Sequence, residues 1–127
     1  MIIIRPYRKE DEEFCRNLLN DEGVEEAHCY GVSPTWILED GNPVGFFTFV
    51  QGDFVELRHF CVAQERRSMA VARLMIRGVR EILRDVGIKQ CLMKEVSIKY
   101  LQKMIEYYFK AKPVFKTERI RTYLVEV

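Results

Sequence analysis

The sequence predicts an α+β domain built on a mixed, mostly antiparallel sheet flanked by helices. Three observations carry this. Apolar runs separated by tight-turn signals fill the middle of the chain. Two amphipathic helical patterns follow, with a short strand between them. The stretch ELRHFCVAQERRSMAVARLM, residues 56–75, begins with strand character and ends with helix character.

In chain order, residues 2–5 (IIIR) form a short strand stopped by Pro6. Residues 8–20 follow as a helix, with Asp11, Glu12 and Glu13 near its start, where negative charge suits the helix dipole, and with Phe14 and Leu18 on its apolar stripe. A second short helix is expected within residues 21–30, between Gly23 and Gly31. Strands at 35–39, 43–50 and 54–62 are joined by Asp40-Gly41-Asn42 and Gln51-Gly52-Asp53, which makes an antiparallel meander. The period changes at 70–85, where Val71, Leu74, Met75, Val79, Ile82 and Leu83 recur at helical spacing and Gly87 closes the helix. Residues 88–93 are a strand reached by a right-handed crossover, hence parallel to 54–62. A helix at 97–109 and a closing pair of strands at 113–117 and 122–127 complete the order. Phe46 and Phe47 are adjacent and apolar, so their strand is expected to be covered on both sides.

With 127 residues, one domain covering 1–127 is expected. Twenty basic against nineteen acidic side chains give a net charge of +1, so overall charge selects no polyanionic partner. Cys15, Cys29, Cys61 and Cys91 form no C-x-x-C pair, and with two histidines the chain has no zinc spacing, so no metal site is expected. Unpaired cysteines suit a reduced, cytoplasmic setting. The opening MIIIRPYRKE is too short an apolar run for a signal peptide or membrane span.

The chemistry concentrates between the third meander strand and the helix after it. A helix N-terminus offers unpaired N–H groups and partial positive charge, which together bind anions. Arg66 and Arg67 add full charges, Ser68 adds a hydroxyl, and the small Ala70 and Ala72 let a ligand approach the backbone. This favours a diphosphate; the other reading is a polar strand-to-helix turn that binds nothing.

This stretch, Arg67-Ser68-Met69-Ala70-Val71-Ala72 after a strand ending in Val62 and with Met75 in a leucine slot, resembles the central Q/R-x-x-G-x-G/A motif of the GNAT family of N-acetyltransferases. The element order resembles that family over nearly the whole chain. The resemblance implies a GNAT-like fold and acetyl transfer from acetyl-coenzyme A (acetyl-CoA) to a primary amine by direct attack. It implies that Cys61 and Val62 meet the pantetheine arm, and that Arg66, Arg67, Ser68, Met69, Ala70, Val71 and Ala72 hold the pyrophosphate. The first glycine of the motif is Ala70 here, a departure that leaves helical dihedrals open.

Transfer to an amine needs a base, an oxyanion donor and an acid for the leaving thiolate. Glu56 stands where histone-acetylating members of the family carry a glutamate base; with an ordinary pKa of about 4.3 it needs burial or a relaying water. Its other reading is an exposed strand glutamate paired with Arg58 or with a neighbouring strand. His59, with an ordinary pKa near about 6.5, is the second candidate base, or else a satisfied histidine beside the sheet. Strand alternation sets it opposite Glu56 unless a bulge intervenes. A backbone N–H near Cys61 suits the oxyanion, with the Cys61 side chain as a small apolar filler. The family's acid is a tyrosine after an Asn-x-x-Ser/Ala start. Here that start reads Lys94-Glu95-Val96-Ser97 and Tyr100 lies one residue early, with Tyr107 and Tyr108 two turns further on.

Arg73, Arg77, Arg80 and Arg84 form a stripe that binds nucleic acid, or is a solvated face paired with Glu81 and Asp85, or lends Arg73 to the coenzyme's phosphates. The balanced net charge makes nucleic acid the less favoured partner. Asp21, Glu22, Glu25 and Glu26 form an acidic cluster that attracts a cationic amine or simply faces water. An alternative to catalysis is a non-catalytic GNAT-fold protein that binds acyl-CoA or serves in assembly, of the kind found in phages and mobile elements. The resemblance also implies a possible homodimer.

Overall fold

A computed structural model describes residues 1–23 and 29–127. The strands are β1 (Ile3–Pro6), β2 (Thr35–Asp40), β3 (Asn42–Gln51), β4 (Val55–Val62), β5 (Gln90–Val96), β6 (Pro113–Lys116) and β7 (Arg121–Glu126). The helices among the described residues are α1 (Glu12–Asp21), α2 (Met69–Asp85) and α3 (Lys99–Met104). Strand order is β1-β2-β3-β4-β5-β7-β6; β1–β2, β2–β3, β5–β7 and β6–β7 pair antiparallel, and β4–β5 parallel. This is the mixed α/β architecture expected. The chain forms two compact units, one of Met1–Val50 with Leu57–Arg67, the other of Gln51–Glu56 with Ser68–Val127.

In the first unit the β2–β3 turn is as tight as Asp40-Gly41-Asn42 suggests. Asp40 pairs directly with Asn42, and Gly41 takes the left-handed φ of 74° that this requires. Phe46 and Phe47 are both fully buried, on opposite faces of β3: Phe46 meets Tyr30 edge-on, and Phe47 packs against Phe49 and Phe60. The helix expected from residue 8 opens instead as a 3-10 turn, Lys9–Asp11, before α1. Asp11 is the reason. Its carboxylate accepts from the Arg8 amide at 2.7 Å and from both terminal nitrogens of Arg5 at 2.8 and 2.9 Å. It is a buried ion-pair residue, not a solvent-facing dipole partner. The helix expected within 21–30 falls partly on residues 24–28, outside the described residues.

In the second unit the Ser68 hydroxyl caps α2 by accepting from the Val71 amide at 3.2 Å. At the other end Gly87, at φ 78°, and Ile88 return their amides to Arg84 and Leu83. The buried stripe of α2 is Val71, Ala72, Met75, Ile76, Val79 and Leu83. Ala72 and Ile76 thus replace the expected Leu74 and Ile82. The strand expected at 88–93 runs later, to Val96, with a register shift between Met93 and Val96 where Glu95 adopts φ 51°. The helix expected at 97–109 begins at Lys99, widens into a π-helical turn over Ile105–Phe109, and ends at Lys110 with φ 55°. That turn sets Glu106 to accept from the Tyr123 hydroxyl at 2.6 Å and from Arg121 at 2.5 Å.

Candidate functional site

The N-terminus of α2 is built as the sequence suggests. Ser68 takes extended dihedrals and Met69 is the first helical residue. The Val71 amide bonds the Ser68 hydroxyl and the Ala72 amide bonds the Ser68 carbonyl. The Met69 and Ala70 amides lie ahead of the first intrahelical bond, the position of orphan donors. Ala70 lies inside α2 and is exposed, so its methyl forces no change of backbone.

The same unit holds an apolar hollow of about 270 Å³ beside this helix start. Ser68, Met69 and Ala72 of α2 meet Tyr100 and Met104 of α3 and Tyr107 of the π turn around it. Tyr107 and Tyr108 stack edge-on at 4.9 Å, and the Tyr108 hydroxyl donates to the Met69 sulfur at 3.1 Å. Tyr100, the candidate acid, is therefore brought together with Ser68, Met69 and Ala72. Sequence reasoning did not find the hollow; its signal was the recurrence of Tyr100, Met104 and Tyr107 along one helical face.

Glu56 lies in the second unit, on the paired part of β4, where it is registered with Leu92. It is buried rather than exposed, and it pairs with a neighbouring strand as the alternative reading allowed: Lys94 Nζ on β5 lies 3.9 Å from its carboxylate. Lys94, Glu95 and Val96, read as the start of a helix, are the end of β5. The parallel pairing of β4 and β5 is what sets Lys94 beside Glu56.

In the first unit, His59 lies within β4 at φ 52°, a left-handed conformation that costs a non-glycine residue about 1 kcal/mol or more. Its Nε2 accepts from the Cys29 amide at 3.2 Å, so the ring is the tautomer protonated on Nδ1. The Cys61 thiol donates to the His59 carbonyl at 3.2 Å, and burial pushes its pKa well up, so it is no thiolate near neutral pH. Burial likewise lifts the Cys15 and Cys91 thiols, each to about 12. Val62 is buried at the strand end, and its carbonyl accepts from Arg67 Nε at 3.1 Å.

The two arginines of the connection are held differently. Arg66 pairs with Asp40 at 2.5 Å and holds that carboxyl below its usual range, with help from the Met1 amine. Arg67 pairs with Glu22, a contact no local pattern predicts because the two lie far apart in sequence. Of the acidic cluster, Asp21 ends α1 and Glu22 pairs with Arg67; Glu25 and Glu26 lie outside the described residues. No helix of the described residues is long and apolar enough to cross a membrane.

A family model described as the acetyltransferase (GNAT) family matches residues 2–111. No curated protein matches the sequence. Among solved structures, the chain is similar to an acetyltransferase of the GNAT family from Staphylococcus aureus Mu50, with TM-score 0.79 and 12% identity over 99% of both chains. It is similar to a diaminobutyrate acetyltransferase from Paenibacillus lautus, solved with L-2,4-diaminobutyric acid and coenzyme A, with TM-score 0.76 and 15% identity over 99% of this chain and 95% of that one. It is also similar to N-acetylglutamate synthase from Neisseria gonorrhoeae, solved with coenzyme A and N-acetyl-glutamate, with TM-score 0.75 and 15% identity. There it covers 99% of this chain but 35% of the other, so this chain spans about a third of that protein.

Proposed function

Since this chain belongs to the acetyltransferase (GNAT) family, we propose that residues 1–127 act as one domain transferring acetyl from acetyl-CoA to a primary amine by direct attack in a ternary complex. The observation that carries the reading is the start of α2: orphan amides at Met69 and Ala70, a Ser68 cap, and an apolar hollow alongside in the same unit. Orphan amides suit a diphosphate, and an apolar, aromatic wall suits the uncharged remainder of a coenzyme. Acetyl-CoA supplies an activated thioester.

In this reading the amides and hydroxyl of Ser68 through Ala72, with Arg66 and Arg67, hold the diphosphate, and the ends of Cys61 and Val62 hold the arm. Arg67 turns toward phosphate from Glu22, which makes Glu22 a competing acceptor. Glu56 takes the proton of the attacking ammonium, directly or through water, with the Lys94 ammonium 3.9 Å from its carboxylate. The Cys61 region offers a backbone N–H to the developing oxyanion. Tyr100, on the rim of the hollow, returns a proton to the leaving thiolate. His59 serves as base only after its Nε2 releases the Cys29 amide, which ranks it behind Glu56.

One observation favours a second reading, a non-catalytic acyl-CoA-binding or assembly protein. The candidate base is partnered by Lys94, in the slot where the family pattern has asparagine. A single series tests both. Acetyl-CoA is titrated by calorimetry into the protein and into Arg67→Ala, followed by an amine acceptor screen with Glu56→Gln as control. The enzyme reading expects micromolar binding weakened about tenfold by Arg67→Ala, and turnover lowered on the order of 100-fold by Glu56→Gln. Binding without turnover on any amine selects the second reading, and no binding at millimolar coenzyme refutes both.

A further inference from the structure

The arginine stripe of α2 belongs to neither the helix start nor the hollow. Arg73, Arg77, Arg80 and Arg84 are spaced four, three and four residues apart, so their guanidiniums follow one helix face for about 16 Å. The expected pairing with Glu81 and Asp85 does not occur: among the described residues none of the four forms an ion pair. Like charges at this spacing repel. The four side chains instead line a cleft of about 260 Å³ together with Glu81 and Tyr108, the tyrosine also lining the neighbouring hollow.

Arg80 is the anchor. Its guanidinium lies over the Phe109 ring at 5.2 Å, and its one hydrogen bond, from a terminal nitrogen to the Phe109 carbonyl, is long at 3.4 Å. Its Nε is buried and has no acceptor. A desolvated donor without an acceptor is the exception in folded proteins, and it asks for an anion or a water. Arg73 lies over the Tyr108 ring at 5.9 Å, which orients a second guanidinium at the same cleft.

We propose that Arg73, Arg77, Arg80 and Arg84 form an anion-binding cleft for a small molecule bearing two or more phosphate groups, separate from the diphosphate cradle at the helix start. One phosphate reaches only two neighbouring guanidiniums, so a stripe of this length calls for a multiply charged ligand. A concave cleft suits a small anion better than a nucleic-acid groove, which takes a protruding helix.

The test titrates inorganic tripolyphosphate into the protein by calorimetry, with and without saturating coenzyme A, beside Arg77→Gln/Arg84→Gln. Both substituted side chains are exposed, so folding is preserved, which melting confirms. The proposal expects binding that persists under saturating coenzyme and weakens at least about tenfold in the double variant. The arm without coenzyme keeps the test valid if the acetyl-transfer reading fails. Equal affinity in the double variant overturns the proposal. So does loss of tripolyphosphate binding under coenzyme, which assigns the stripe to the coenzyme's own phosphates. Tighter binding of a single- or double-stranded oligonucleotide than of tripolyphosphate at the same salt also overturns it, and makes the stripe a nucleic-acid surface.

Discussion

Gly45 is the position where one methyl group has the most to disturb. It lies on β3 opposite Leu38, and a Cβ built on it meets the Cys61 carbonyl oxygen at 2.7 Å, the Val62 Cα at 3.2 Å and the Val62 Cγ2 at 3.3 Å. Two of these three atoms are backbone, so no rotamer change relieves the clash; the end of β4 has to move. Overpacking of this kind costs about 1–3 kcal/mol. At this chain length about 2 kcal/mol lowers Tm by roughly 6–10 °C. Gly52→Ala is the matched control, because its Cβ meets nothing nearer than the Phe54 carbonyl at 3.4 Å, an ordinary contact. Thermal unfolding followed by circular dichroism is expected to show a large drop for Gly45→Ala and little change for Gly52→Ala. Acetyl-CoA titration of Gly45→Ala is expected to show weakened binding, because the displaced segment carries Cys61 and Val62. A Gly45→Ala protein that melts within about 1 °C of the parent would refute the packing argument.

Two further perturbations follow from the ion pairs. Arg5 holds the Asp11 carboxyl below its usual range, so the pair stabilises fully above the unfolded carboxylate value of about pH 4 and loses its contribution as pH falls through the lower folded value. Asp11→Asn leaves a buried guanidinium short of a partner and is expected to cost about 3 kcal/mol at pH 7, with the deficit shrinking toward pH 2; equal deficits at both pH values, by urea unfolding, would contradict this. Glu22→Gln removes the carboxylate that competes for Arg67 and is expected to tighten acetyl-CoA binding about fivefold, roughly 1 kcal/mol, whereas weaker binding would show that Glu22 positions Arg67 for the ligand.

Features whose cause is local were legible in the sequence. Asp40-Gly41-Asn42 carries its own turn chemistry and Gly87 its own left-handed cap, so the β2–β3 turn and the C-terminal end of α2 could be placed from a few residues each, whereas the Ser68 cap, which starts the helix at Met69 rather than residue 70, was not read. Features set by distant partners were not. The left-handed backbone at His59 and the register shift around Glu95 carry no signal in their own residue types. Lys94 beside Glu56 follows from parallel register, and Arg67 with Glu22 from tertiary folding. The widening of α3 over Ile105–Phe109 keeps the apolar spacing that reads as one helix, so periodicity alone does not reveal it. The start of α2 was legible as a chemical type because orphan amides are a property of any helix start, while the roles proposed for the side chains around it rest on the family pattern.

The division of the chain into two units passes through β4 rather than through a linker: Val55 and Glu56 belong with the later residues, Leu57 onward with the earlier ones. A gene split between Arg67 and Ser68 therefore yields halves that do not match the units. The C-terminal fragment would carry Cys91 and Leu92 without their parallel partners, which remain on the N-terminal fragment. Each half is a poor independent folder on that account. Recombination that swapped either half between relatives would have to preserve a two-residue strand register across the crossover, which ties the inheritance of Glu56 to that of the strand it faces.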